Sequence, residues 1–329
     1  MTTPLQSLVS NLRASGVFEG KHLIDCVKNA FGDAFSAWGI QNGDDAAAVP
    51  DGHGGYLLLA AEGVLPELVQ HDPELAGRCA VLANVNDIYA MGGRPLAMVD
   101  VIGAQDDATL QAICKGMRDN ALRFGVPLVG GHVQSSRGEA SASLAIMGSA
   151  KALLTSFDAC AGDALVLVTQ LDGIWLRKQN YWNCTLPRHD AHLQGNLELL
   201  PRVAEEGLTR AGKDVSMAGI AGTTIMLAEA SGIGAIIDVD AVPLPQGAVR
   251  ERDLEAWLRA FFSYGFLLAV QQEHLLALTS LFLARGLYAA RIGEFTTSSS
   301  VQLQQGGESA LLHDWKQEPF TGFAKGAQA

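Results

Sequence analysis

The sequence predicts an α/β to α+β protein of two domains, and three observations carry that prediction. Apolar runs of strand length alternate with longer segments whose apolar residues recur every three or four positions. Many of the 36 glycines fall between those segments, where tight turns belong. At 329 residues the chain is long for one core, and its pattern resets between 151 and 161, which gives expected domains 1–153 and 154–329.

In chain order, 5–15 and 21–31 have helical spacing, with Leu23, Ile24, Val27 and Phe31 expected on a buried stripe. From 39 to 55 Gly, Asp, Asn and Pro predict a loop, and 56–61 is a buried strand ending at Glu62. The segment 82–95 reads as a helix that stops abruptly. Val81, Val85 and Ile88 mark a buried face, Asn84 and Asp87 share another, Gly92 and Gly93 end the helix, and Pro95 prevents it from resuming. A strand (96–102) follows. Next come a helix (108–124, with Leu110, Ile113, Met117 and Leu122 inside), a buried strand (126–129) and an alternating strand (142–149).

In the second half, 164–169 is a strand and 196–211 a helix, while the polar-aromatic stretch 175–194 is expected as an exposed loop or substrate cover. A helix at 221–231, a strand at 235–239, and helix, strand, helix and strand up to 294 complete an α+β half. The tail after 321 is expected to fray.

Composition excludes several functions. A formal net charge of -12 argues against nonspecific binding to nucleic acid or to an anionic membrane surface. The cysteines (Cys26, Cys79, Cys114, Cys160 and Cys184) never form a C-x-x-C pair, so reduced thiols are expected rather than zinc or disulfides. No signal peptide and no membrane span are read, and a cytoplasmic protein is expected.

Four clusters in the first half are candidates for chemistry. Asp44 and Asp45 are adjacent carboxylates that need a cation, a donor or water. Glu62 ends a strand. Asn84 and Asp87 lie on one helix, which suits oxygen ligation of a hard cation such as Mg2+, although a solvated polar stripe gives the same spacing. In Gly130-Gly131-His132 the paired glycines let backbone approach a ligand. In the second half, Asp214 and Ser216 precede a Gly-rich helix start, which serves either an anion or an ordinary N-cap. Motifs of P-loop, Rossmann and serine hydrolase sites are missing.

G-D-D-A-A-A from Gly43, N-V-N-D-I-Y-A-M-G-G-R-P from Asn84, V-G-G-H from Val129 and D-V-S-M-A-G-I from Asp214 resemble, in this order, the aminoimidazole ribonucleotide (AIR) synthetase superfamily. That group includes thiamine-monophosphate kinase, selenophosphate synthetase and a hydrogenase maturation factor. Later stretches from Ala230, Ser263 and Arg291 extend the resemblance to nearly the whole chain. It implies a two-domain AIR-synthase-like fold, with an N-terminal mixed sheet that pairs across a homodimer and a C-terminal α+β sandwich.

The resemblance further implies ATP and Mg2+ as cofactors. Asp44, Asp45, Glu62 and Asp87 would be metal ligands, and Asn84, Gly130, Gly131 and Ser216 would lie near the nucleotide, the two glycines in a turn beside its phosphates. Asp87, His132 and Asp214 would serve catalysis, with a small molecule as phosphoryl acceptor. Two departures stand out. Glu62 replaces the usual Asp of a T-D pair, and Met217 stands where the family's D-x-S-D-G has a carboxylate. They motivate an alternative, a nucleotide- or metabolite-binding relative without turnover that acts as a partner or regulator. A third reading takes the polar clusters as caps and turns only.

Overall fold

The computed structural model describes residues 3–19, 21, 23–31, 40–136 and 138–324. The chain forms two compact units. The first comprises Met1–Asp44, Leu154–Pro187 and Glu206–Ala329, the second Asp45–Leu153 and Arg188–Glu205. The first unit opens with helices α1 (Pro4–Arg13), α2 (Gly16–Glu19) and α3 (Leu23–Phe31). A capping box starts α1: Thr3 accepts from the Gln6 amide, and the Gln6 side chain accepts from the Thr3 amide. The expected stripe on α3 is not buried, because Leu23 and Val27 point to solvent.

The second unit is built on a five-stranded sheet of β1 (Ala47–Pro50), β2 (Tyr56–Gly63), β3 (Arg94–Ala104), β4 (Leu128–Ser135) and β5 (Ser141–Ala150), in the order β1-β2-β5-β3-β4. All neighbours are antiparallel except β3 and β4. Helices α4 (Pro66–His71), α5 (Pro73–Ala90) and α6 (Asp107–Phe124) join these strands, and α5 packs on β5, β2 and α6. Part of the expected 39–55 loop is therefore strand β1. The strand β2 is not buried on both faces: Leu58 is enclosed while Leu57 and Leu59 are exposed. On α6, Ile113 and Met117 lie inside as expected, but Leu122 is 70% exposed. Helix α7 (Asp190–Leu197) and α8 (Leu199–Glu205) belong to this unit, and Arg94 ties them in through Glu198 at 2.8 Å and Glu205 at 2.6 Å. The single helix expected over 196–211 is thus the end of α7 and all of α8, broken at Glu198 and finished at Glu205.

The rest of the first unit contains two sheets. β6 (Ala164–Thr169) is buried along its length, as a continuous apolar run predicts for a strand covered on both faces. β7 (Ile174–Leu176) and β8 (Tyr181–Asn183) lie where an exposed cover was expected. Tyr181 and Trp182 are buried, and Trp175 and Trp182 meet Trp257 edge-on at 5.2 and 5.3 Å. Next in the chain are β9 (Ala211–Asp214), α9 (Gly219–Ser231), β10 (Gly234–Asp238), α10 (Arg250–Leu258), β11 (Phe261–Phe262), β12 (Gly265–Val270) and α11 (Leu275–Leu283). The last strands are β13 (Tyr288–Thr296), β14 (Ser300–Gln305) and β15 (Glu308–Asp314).

The large sheet has the order β15-β14-β10-β13-β6-β12-β9, and β11-β8-β7 form the small one. β14 and β15 were not expected; the three glutamines of β14 dilute its strand signal. The tail was expected to fray, yet Phe320, Thr321 and Gly322 are held by the Glu229 carboxylate; residues 325–329 lie outside the described residues. Among the described residues no helix is long and apolar enough to cross a membrane.

Candidate metal and nucleotide site

Helix α5 carries the centre of the site. It starts earlier than its sequence motif, at Pro73, with the Asp72 side chain accepting from the Leu75 amide at 3.0 Å. It crosses α6 at a glycine contact: a Cβ on Gly77 would overlap the Ile113 carbonyl, and one on Gly116 the Glu74 carbonyl. Val81, Val85 and Ile88 are fully buried. The helix stops after Ala90, where Gly92 adopts φ +72° and the Gly93 amide bonds back to the Ile88 carbonyl at 2.9 Å.

Asn84 and Asp87 are also buried, as is Asn86, which the sequence did not single out. The plainer reading of a solvated polar stripe therefore fails. The Asn84 amide donates to the Ala80 carbonyl at 2.9 Å, and its Oδ1 is buried with no hydrogen-bond partner among the described residues. A buried amide oxygen in that state is a costly feature that a ligand or ion would relieve.

Asp45 and Asp87, both in the second unit, bring carboxylate oxygens within 4.8 Å of one another. Two such charges repel unless a cation sits with them. Bonds of about 2.1 Å to Mg2+ put neighbouring ligand oxygens about 3 Å apart and opposite ones about 4 Å apart. The donor set therefore suits a hard divalent ion with small adjustment. Asp44 is turned elsewhere, within the first unit. Its two oxygens accept from the backbone amide of Ser156 at 2.9 Å and from the Ser156 hydroxyl at 2.6 Å. Glu62 lies within β2 opposite Leu144 and is exposed.

Gly130, Gly131 and His132 occupy the middle of β4 rather than a turn, opposite Val99, Asp100 and Val101 of β3. The Gly131 Cα lies against Asp100, and a Cβ there would overlap the Asp100 carboxylate. Among the described residues nothing lies within 4 Å of the equivalent position on Gly130. Partial burial raises the Asp100 carboxyl above the usual carboxylate range.

In the first unit, Asp214 ends β9 opposite Phe266 and is buried. Neither Asp214 nor Ser216 caps α9, whose N-cap is Ala218 with no side-chain bond. The Ser216 amide donates to the Thr223 hydroxyl at 3.2 Å, while its own Oγ is buried with no hydrogen-bond partner among the described residues. Burial pushes the thiols of Cys79 and Cys184 up to about 12 and about 11, so neither is a nucleophilic thiolate near neutrality.

Residues 43–150 match the N-terminal domain model of AIR synthase related proteins, and residues 161–305 match the C-terminal one. The chain belongs to the AIR synthase related family. It is 46% identical to an uncharacterized protein of Synechocystis sp., over 86% of this chain and 87% of that one. It is 29% identical to the selenide, water dikinase of Aeromonas salmonicida, over 74% of each. Among solved structures, T. maritima PurL complexed with AMPPCP superposes with a TM-score of 0.71 over 98% of this chain at 16% identity, a likeness of fold. This chain spans about half of that one, 52%. The two-domain AIR-synthase-like fold read from the motifs is thus the fold of this family.

The sequence did not reveal Ser156 as the partner of Asp44, because 112 residues separate them and Ser156 sits in an unremarkable turn. It also passed over Asn86, whose position between Asn84 and Asp87 was the available signal.

Proposed function

We propose that this protein is a Mg2+-dependent enzyme that transfers a phosphoryl group from ATP to a small molecule. The observation that carries the reading is the pair Asp45 and Asp87, two carboxylates at ligand spacing, one of them buried on a packed helix. Asp45 and Asp87 would hold the ion, with Asn84 Oδ1 beside Asp87 on the same helix as a further oxygen. The ion would offset the charge of the nucleotide phosphates, since carboxylates alone would repel them. Helix α5 fixes the direction of Asp87 through its buried neighbours, so positioning is supplied by packing. In this reading residues 1–153 serve ATP and metal. Gly130, Gly131, His132, Asp214, Ser216 and Glu62 keep the roles that the resemblance implies, each to be tested by its own substitution.

A homodimer in the cytoplasm belongs to the same proposal. Leu57, Leu59, Val99, Val101 and Met147 leave one side of the five-stranded sheet apolar and exposed, and a second copy would cover it. Sedimentation that gives a monomer mass at micromolar concentration would overturn the dimer.

Calorimetry with ATP tests the main reading. Binding should require Mg2+, and Asp87→Ala should weaken it at least about tenfold, or about 1.4 kcal/mol. Absence of Mg2+-dependent ATP binding overturns the proposal, and unchanged affinity in Asp87→Ala removes that residue from the site. Met217 and Glu62 keep a second reading open, a binding protein without turnover. A metabolite that stimulates ADP release from ATP excludes it; tight ATP binding with only slow, substrate-independent loss of ATP supports it.

A further inference from the structure

We propose that Asp44 is not a metal ligand but the tether of the loop that carries Asp45, and that the C-terminal end of helix α9 holds this tether from two sides. The proposal rests on the reading that Asp45 serves the metal.

The first hold is polar. Asp44 spends both carboxylate oxygens on Ser156, one on its amide and one on its hydroxyl. Ser156 is buried, and its carbonyl accepts from the Ser231 hydroxyl at 2.8 Å. That hydroxyl in turn accepts from the Ala159 amide at 3.1 Å. Ser231 is the last residue of α9. The turn that grips Asp44 is therefore fixed to a helix end.

The second hold is apolar and starts two residues earlier on the same helix. Glu229 is 1% exposed and accepts four hydrogen bonds from the C-terminal segment. They come from the amides of Phe320 (2.9 Å), Thr321 (2.7 Å) and Gly322 (3.2 Å) and from the Thr321 hydroxyl (2.7 Å). Phe320 packs edge-on against Phe18 at 5.3 Å. The residue after this clamp is Phe323, and its side chain covers Gly43, where any Cβ would overlap the ring. Gly43 also has φ +103°, a conformation that side-chain-bearing residues rarely adopt. One helical turn thus fixes Gly43 through Phe323 and Asp44 through Ser156.

A carboxylate that accepts from an amide and a hydroxyl has its charge balanced by donors and its direction set. Asp45 follows directly in the chain, so its position inherits that constraint. Glu229, Ser231, Ser156 and Phe323 are then positioning residues, and Asp44 acts through its neighbour rather than on the ion.

Charge and hydrogen bonding at Asp44 can be separated by substitution. Asparagine keeps an acceptor for the Ser156 amide and a donor for its hydroxyl but removes the charge; alanine removes both. With the full chain and Mg2+-AMPPCP in calorimetry, Asp44→Asn should stay within about threefold of the parent, while Asp44→Ala and Phe323→Ala lose about tenfold. Asp45→Asn should lose at least as much as Asp44→Ala. If Asp44→Asn binds as poorly as Asp45→Asn, Asp44 acts by its charge on the metal and the tether is overturned. Hydrogen exchange without metal or nucleotide provides a separate measure. The amides of 43–47 and of Ser156 should exchange faster in Asp44→Ala and Phe323→Ala but not in Asp44→Asn; unchanged exchange in Asp44→Ala also overturns the tether. A parent protein that does not bind Mg2+-AMPPCP at all would defeat the ATP reading alone, and exchange would still decide the tether.

Discussion

Two buried carboxylates on two helices, Glu229 on α9 and Asp87 on α5, meet opposite surroundings. Glu229 is 1% exposed and is met by four donors, three amides and a hydroxyl. Asp87 is 6% exposed and faces a carboxylate oxygen of Asp45 within 4.8 Å. Burying an ionised acid is costly unless donors or a cation compensate for lost water. Donors complete Glu229 inside the protein, which makes it part of the scaffold. An acid placed against another acid gains most from something positive brought between them. Both helices end at a glycine with φ +72°, so helix chemistry does not distinguish the two; the neighbours of each carboxylate do.

Substitution should separate them by size and by response to metal. Glu229→Ala strands buried donors, each costing about 1–3 kcal/mol, so chemical denaturation should show a loss of about 3 kcal/mol or more. Asp87→Asn removes a like charge from Asp45 and in metal-free buffer should stay within about 1 kcal/mol of the parent. It should also abolish the stabilisation that Mg2+ with AMPPCP gives the parent, about 2.7 kcal/mol at a hundredfold excess over Kd. The reverse pattern, a tolerated Glu229→Ala and a collapsed metal-free Asp87→Asn, would break the comparison.

How far the sequence discloses such a distinction depends on range. The burial of Val81, Val85 and Ile88 was legible because the 3.6-residue period is local. The stop at Gly92 and Gly93 was legible because it rests on backbone chemistry. The start of α5 at Pro73 was signalled by Asp72-Pro73. It was missed because Ala76, Gly77 and Ala80 are buried as well, which removes the one-sided stripe. Gly130-Gly131 suggested a turn, yet in β4 Gly131 serves close packing on Asp100. Leu23, Val27 and Leu122 fit helical faces but lie exposed, since a period shows which residues share a face and not what covers it. Asp44 and Asp45 are identical neighbours in sequence, and only the fold turns one to Ser156 and brings the other near Asp87. The clamp at Glu229 joins residues more than ninety positions apart, beyond any local pattern.

The smallest expected effect concerns acid and the donor-rich region alone. His313 in β15 lies against the Phe320 ring at 5.2 Å, beside the segment that Glu229 clamps, and its Nε2 donates to the Glu318 carbonyl at 2.7 Å. Burial lowers its pKa below the ordinary histidine value. The Glu318 carbonyl and the charges of Glu318 and Glu229 oppose that shift, and Arg13 adds to it. The folded protein thus prefers neutral His313, whereas the unfolded chain takes up a proton near pH 6.5. Stability from this residue is fully present above that pH and is lost as pH falls toward the lower folded value. Melting temperature should therefore fall between pH 7 and pH 5, and His313→Gln should flatten that slope. Glutamine keeps a donor for the Glu318 carbonyl without a titrating group, so an equal slope in both proteins would show that His313 does not couple acid to this region.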